Sequence, residues 1–225
     1  MKSRERVASY IAKGFARTKA HVRQVHELYY HATLAMGNYY LSLTKGMDFH
    51  TEKEMEFPPE VGLWHERTSR RTFEQALRYV PSKGGRGFFD FGSGKGHALI
   101  LAARHPFKRI GGVELSPRVH AVCQQNLKRH GLNSVELFHC NAKTLERELD
   151  EYDLFFLFNP FPPEVLSDVA HNLIASVGRE HRQITIIYQN PMFHNELRKA
   201  GFKCYRVLNE GHRDRTRRVS LYTYS

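Results

Sequence analysis

Four short groups of polar and glycine residues hold the chemistry open to this chain. The first is Asp90-Phe91-Gly92-Ser93-Gly94-Lys95-Gly96, where an apolar run ends in an acid and continues into three alternate glycines. Glycines so placed let the chain turn tightly and let a ligand lie against bare backbone, where side chains would occupy its volume. Free N–H groups at the start of a following helix are then expected to face the ligand. About 20 residues further on, Val113-Glu114-Leu115 brings a carboxylate to the end of a second apolar run, where it can accept both hydroxyls of a ribose. Asn141-Ala142 closes a third run and Asn159-Pro160-Phe161-Pro162 a fourth. A lone glycine triplet is weak evidence. Four consecutive strand ends with polar or glycine residues, in this order, describe one ligand-binding edge of an open α/β sheet.

The elements that position these groups can be read from periodicity. From residue 87 onward, short apolar runs alternate with amphipathic stretches, the order of β-α units in a doubly wound, mostly parallel seven-stranded sheet. Strands are predicted over 87–90, 109–114, 135–140, 152–159, 183–188, 202–208 and 218–224. Helices are predicted over 97–104, 117–130, 163–176 and 193–200, with a short one over 144–149. Ser116-Pro117 is a capping residue followed by proline at the first helical position, and Gly131 stops that helix. The stretch 209–217 leaves no room for a crossover helix, so the last strand pairs antiparallel.

Residues 1–80 read as a helical arm or lid, with apolar positions at Val7, Ile11, Phe15, Val22, Val25, Leu28 and Tyr29, and 81–225 as the sheet domain. Within the arm, 46–62, with Pro58-Pro59, is a loop and 66–79 a helix; 81–85 is a linker. Trp64-His65-Glu66 precedes the sheet domain, where it would border an acceptor pocket.

Composition narrows the function classes. Apolar residues make up 41% and charged residues 25%, ordinary for a globular protein, and no apolar run approaches the roughly 18 residues of a membrane span. The basic N-terminus lacks the apolar core of a secretory signal, so a cytoplasmic protein is expected. Cys123, Cys140 and Cys204 form no C-x-x-C pair and are expected to be buried free thiols. Net charge is +11, concentrated in the first 46 residues and in 198–218; such a field attracts a polyanion and also serves solubility. A phosphate loop would need Ser or Thr after Lys95, where Gly96 stands. A nicotinamide dehydrogenase would space its glycines Gly-x-Gly-x-x-Gly. His21, His26 and His31 step by five and drift round a helix surface, so no metal site is expected.

Over about residues 87–225 the chain resembles the class I S-adenosylmethionine (AdoMet)-dependent methyltransferases, in the glycine motif and in Glu114. The resemblance implies a Rossmann-like fold whose last strand is antiparallel, and AdoMet held by Asp90, Gly92, Ser93, Gly94, Gly96, Glu114, Leu115, Asn141, Ala142 and Asn159. It puts Asp90 near the methionine amino group, and Asn141 with the Ala142 backbone against the adenine; the family usually has Asp where Asn141 stands. Asn159-Pro160-Phe161-Pro162 is similar to the Asn/Asp-Pro-Pro-aromatic motif of amino-directed members, with Phe161 in the place of the second proline. By that resemblance the Asn159 side chain, with a prolyl carbonyl, holds the acceptor nitrogen; a positive sulfonium is stabilised by an aromatic wall, a role expected of Phe161.

Gly112-Val113-Glu114 and 159–166 are similar to the non-SET lysine methyltransferases, which favours a nitrogen of a macromolecular acceptor, a lysine-type side chain first. A nucleic-acid methyltransferase stays open on the basic termini and on Tyr29, Tyr30, Tyr39 and Tyr40. So do a small-molecule acceptor and a non-catalytic AdoMet- or nucleic-acid-binding protein.

Overall fold

The computed structural model describes residues 67–81, 85 and 87–225. Residues 1–66 of the expected arm, including Trp64-His65-Glu66, the spaced histidines and the paired tyrosines, lie outside the described residues. Helix α1, Arg70–Leu77, opens on Ser69, whose side chain accepts from the Thr72 backbone N–H. The strands are β1 (Gly87–Phe91), β2 (Arg109–Glu114), β3 (Glu136–His139), β4 (Leu154–Phe158), β5 (Ile184–Gln189), β6 (Lys203–Leu208) and β7 (Val219–Tyr224). The longer helices are α2 (His97–Ala102), α3 (Pro117–Arg129), α4 (Pro163–Arg179) and α5 (His194–Lys199).

All seven expected strands form, with ends shifted by up to two residues. The short helix expected over 144–149 does not: two 3-10 turns, Ala142–Thr144 and Arg147–Glu151, stand there, the first capped by the Asn141 side chain. Helix α3 keeps its expected signals, with Ser116 Oγ accepting from Val119 N at 3.2 Å and Gly131 left-handed after its end.

The strands lie in the order β3-β2-β1-β4-β5-β7-β6. Every pairing is parallel except those of β7, which runs antiparallel between β5 and β6. The central strands are apolar on both faces because helices cover both. Along β1 and β4, Phe89, Phe155 and Leu157 join the layer under α4 and α5, with Leu166, Val169, Leu173 and Leu197. The alternate residues Phe88, Leu154 and Phe156 join the layer under α1, α2 and α3, with Phe73, Leu99 and Leu127. The chain winds outward from β1 to β3 and then restarts at β4 on the other side of β1, so the topological switch point lies between β1 and β4.

Candidate functional site

The glycine loop leaves β1 at that switch point with Gly92, Gly94 and Gly96 at φ of 72°, 54° and 86°. Alternate left-handed residues are what the glycine spacing is for. Two of them also lie against neighbours: a Cβ on Gly92 would stand 2.5 Å from Pro160 Cβ, and one on Gly96 2.8 Å from Cys123 Sγ. The ends of β1 and β4 therefore touch through bare backbone.

The N–H groups of the loop that precedes the helix are used within the fold. Ser93 N donates to Val113 O, Gly94 N to Glu114 Oε2 and Gly96 N to Ser93 O, each at 2.9 Å. The carboxylate at the end of β2 is the strongest acceptor within reach, and it captures the loop amide in a charge-assisted bond. Its other oxygen accepts from Ser116 N, also at 2.9 Å. An ionised carboxylate has about four acceptor sites, so Glu114 retains capacity for ribose hydroxyls. The loop is braced from behind by Asn126 on α3, fully buried, whose Nδ2 donates to Lys95 O at 3.0 Å. Asn126 and Cys123 escape sequence reading because they face the loop only once α3 packs on it.

Asp90 and Glu114 are both buried, at 3% and 5% exposure, on adjacent strands. Burial first, and the neighbouring Glu114 charge second, push the Asp90 carboxyl well above the usual carboxylate range. A cationic ligand group would relieve both effects. AdoMet brings an ammonium and a sulfonium, which suit this buried pair of carboxyl groups; the residues present fit it.

On the flank of this edge, His139 on β3 shares a 3.1 Å hydrogen bond with the Leu115 carbonyl. Its ring lies 5.1 Å from that of His120 on α3, another residue the sequence reading missed. Burial, then His139, lower the His120 pKa, while Glu114 opposes them. Asn141 caps the first 3-10 turn through its Oδ1, which accepts from Lys143 N at 3.2 Å, so its Nδ2 is the amide group left to turn outward. Ala142 is buried beside it.

Beyond the switch point, Asn159 follows β4 in left-handed backbone, φ 44°, and is 7% exposed. Tyr188, near the end of β5, donates its hydroxyl proton to Asn159 Oδ1 at 2.9 Å. The Phe193 amide donates to that hydroxyl at 3.4 Å, which leaves its proton for the asparagine. Asn159 Nδ2 meets the Met192 sulfur at 3.2 Å, a weak acceptor on a side chain that is 53% exposed. Tyr188 and Met192 carry no local motif, and only the pairing of β4 with β5 brings them here. The Phe161 ring is buried in the layer under α4, edge-on to Phe91 at 6.2 Å. Apolar packing takes it below the strand ends, where it ties the acceptor-side loop to the glycine loop.

Of the three thiols expected to be buried, Cys123 is; Cys140 is half-buried and Cys204 is exposed on the edge strand β6. Among the described residues no helix is long and apolar enough to cross a membrane.

Residues 88–179, which carry β1 through α4, match the family model of the methyltransferase domain. No curated protein matches the chain. Among solved structures, an RNA methyltransferase from Salinibacter ruber in complex with S-adenosyl-L-homocysteine superposes with a TM-score of 0.51 at 16% identity, covering 71% of this chain and 92% of its own. The ribosomal protein L11 methylase from Lactobacillus delbrueckii subsp. bulgaricus gives 0.51 at 16% identity, over 68% of this chain and 77% of its own. A SAM-dependent methyltransferase from Aquifex aeolicus gives 0.50 at 15% identity, over 67% and 87%. At these identities the likeness establishes the fold, and the matched domain establishes the chemistry. The chain thus carries a methyltransferase domain over residues 88–179 within a Rossmann-like fold, and its reaction is AdoMet-dependent methyl transfer.

Proposed function

We propose that the enzyme transfers the methyl group of AdoMet to a nitrogen of a macromolecular acceptor, with a lysine-type side-chain amine as the favoured acceptor and Asn159 as the residue that positions it. One observation carries this reading: Asn159 is a buried amide at the switch point, and its orientation is set by Tyr188. The Oδ1 atom accepts one hydrogen bond and keeps a second lone pair, with which it can take an amine N–H and aim the nitrogen lone pair.

Bound AdoMet supplies a methyl group already activated by sulfonium charge, so the transfer is one in-line displacement that calls for alignment rather than a nucleophilic side chain. On the donor side, Asp90 receives the methionine ammonium, Glu114 the ribose hydroxyls, and Leu115, Asn141 and Ala142 the adenine, with Gly92, Ser93, Gly94 and Gly96 giving the backbone surface between. On the acceptor side, Asn159 orients the nitrogen, and Phe161 serves as the aromatic wall for the positive sulfonium. The fold likeness to an RNA methyltransferase and to a ribosomal protein methylase supports a macromolecular acceptor without choosing its class. Three free thiols support a cytoplasmic setting.

The test joins calorimetric titration with S-adenosylhomocysteine to tritium transfer from labelled AdoMet into the protein and nucleic-acid fractions of a cell extract. The wild type binds the ligand and labels a macromolecular fraction, and Asn159→Ala lowers turnover more than affinity. Label found only in small molecules would refute the acceptor class.

A further inference from the structure

The chain between β6 and β7, residues 209–218, holds four arginines, Arg213, Arg215, Arg217 and Arg218, against two acids, Glu210 and Asp214. The antiparallel course of β7 decides where this turn lies. Val219 pairs with Gln189, the last residue of β5, and Arg218 O accepts from Asn190 N at 2.8 Å. The turn therefore stands at the sheet edge where β4 and β5 end, on the side of Asn159, Tyr188 and Met192.

Its shape is fixed by bonds that use only some of its cations. Arg218 donates through Nε and a terminal nitrogen to His212 O at 3.1 and 3.0 Å. Arg217 pairs with Asp214 at 3.3 Å. Asp214 also caps the 3-10 turn Arg215–Arg217 by accepting from Thr216 N at 3.0 Å. Gln189 Nε2 donates to Thr216 O at 2.6 Å, and Asn209 Nδ2 to Arg217 O at 2.9 Å. Arg213 and Arg215, on either side of Asp214, enter none of these bonds and are exposed. A braced turn that presents two guanidinium groups binds an anion with little ordering cost.

We infer that Arg213 and Arg215 form a phosphate-binding rim of the acceptor site, so that the substrate is a nucleic acid whose phosphodiester backbone seats the target nitrogen at Asn159. The inference rests on the proposed transfer to a nitrogen of a macromolecule and replaces the lysine-type amine favoured there by a nucleobase nitrogen. The reason is electrostatic. A cationic rim repels a lysine-bearing peptide and attracts a polyanion, and guanidinium groups match phosphate oxygens in pairs. The +11 net charge of the chain acts in the same sense over longer range.

The test uses the full chain, its Arg213→Glu/Arg215→Glu double variant, and labelled single-stranded RNA and DNA twenty-mers in fluorescence anisotropy over a salt series. Loss of two phosphate contacts should weaken nucleic-acid binding at least tenfold and reduce the slope of log K against log salt by about 1.4, at roughly 0.7 per contact for a single strand. S-adenosylhomocysteine affinity and melting temperature should not change, because neither arginine braces the turn. Tighter binding of one strand type, with tritium entering that fraction in the wild type and not in the variant, identifies the backbone as RNA or DNA. Nucleic-acid binding unchanged in the variant overturns the inference, as does tritium entering only protein; the latter leaves nitrogen transfer standing. If no fraction is labelled while the rim still binds nucleic acid through these arginines, the nitrogen-transfer reading fails and the rim survives.

Discussion

Replacing Tyr188 by Phe removes one oxygen atom from a fully packed position and should separate the acceptor half of the site from the donor half. The ring is 1% exposed, so the phenylalanine fills the same space and opens no cavity of note. What is lost is the proton given to Asn159 Oδ1 and the acceptor for Phe193 N. A buried polar group left unpaired costs about 1–3 kcal/mol. For a chain of this size that lowers the melting temperature by about 2–12 °C. The larger effect is expected in turnover. Without Tyr188 the Asn159 amide can rotate, and a misplacement of about 1 Å at a reacting centre lowers rate on the order of 100-fold. Because Tyr188 bonds neither the glycine loop nor Glu114, S-adenosylhomocysteine affinity should stay within about threefold, a factor worth ~0.7 kcal/mol. Burial holds the Tyr188 hydroxyl above the ordinary phenol range, so it remains a proton donor at all working pH values and adds no limb to the pH–rate profile. Calorimetry for the ligand, single-turnover kinetics for the chemical step and thermal melts for stability give the three readings. Turnover at the wild-type rate in a destabilised variant would show that the asparagine orientation is irrelevant to transfer.

Gly92→Ala places a Cβ 2.5 Å from Pro160 Cβ at a φ of 72°. The left-handed backbone alone costs roughly 1–2 kcal/mol; ligand affinity should fall at least tenfold, and unchanged affinity in calorimetry would contradict the cradle. Glu114→Ala should weaken S-adenosylhomocysteine binding by a similar factor, since it removes the ribose acceptor and strands two amides, and equal affinities would remove Glu114 from the donor site. The raised pKa of Asp90 makes ligand binding proton-linked: the ligand's ammonium favours the carboxylate, so a proton is released and affinity rises with pH above the ordinary carboxylate range. Buffers of different ionisation enthalpy should give different binding heats for the wild type and equal heats for Asp90→Asn. The same raised pKa works against the ligand-free fold as pH climbs: the contribution of Asp90 is full below its unfolded pKa and is lost through its folded one. Asp90→Asn should therefore melt higher than wild type at neutral pH without ligand.

The sequence by itself determined the layered α/β architecture, because strand and helix periods and the Ser116-Pro117 and Gly131 signals report local backbone geometry and burial. It determined the glycine loop for the same reason, since alternate left-handed positions are a local demand of the chain. It also determined that β7 is antiparallel, because 209–217 is too short for a crossover. It misread 144–149, where a few apolar residues suggested a helix, because the Asn141 cap and the burial of Leu145 and Leu149 hold short 3-10 turns. Tertiary structure alone decided which groups meet. Gly94 N reaches Glu114 and Tyr188 reaches Asn159 across separations of 20 and 29 residues. Those meetings follow from the strand order, which places β1 beside β4 and β7 beside β5. They follow too from packing, which drew Phe161 under the sheet edge and left Arg213 and Arg215 above it, since contacts between distant segments depend on how whole layers close and not on any local pattern.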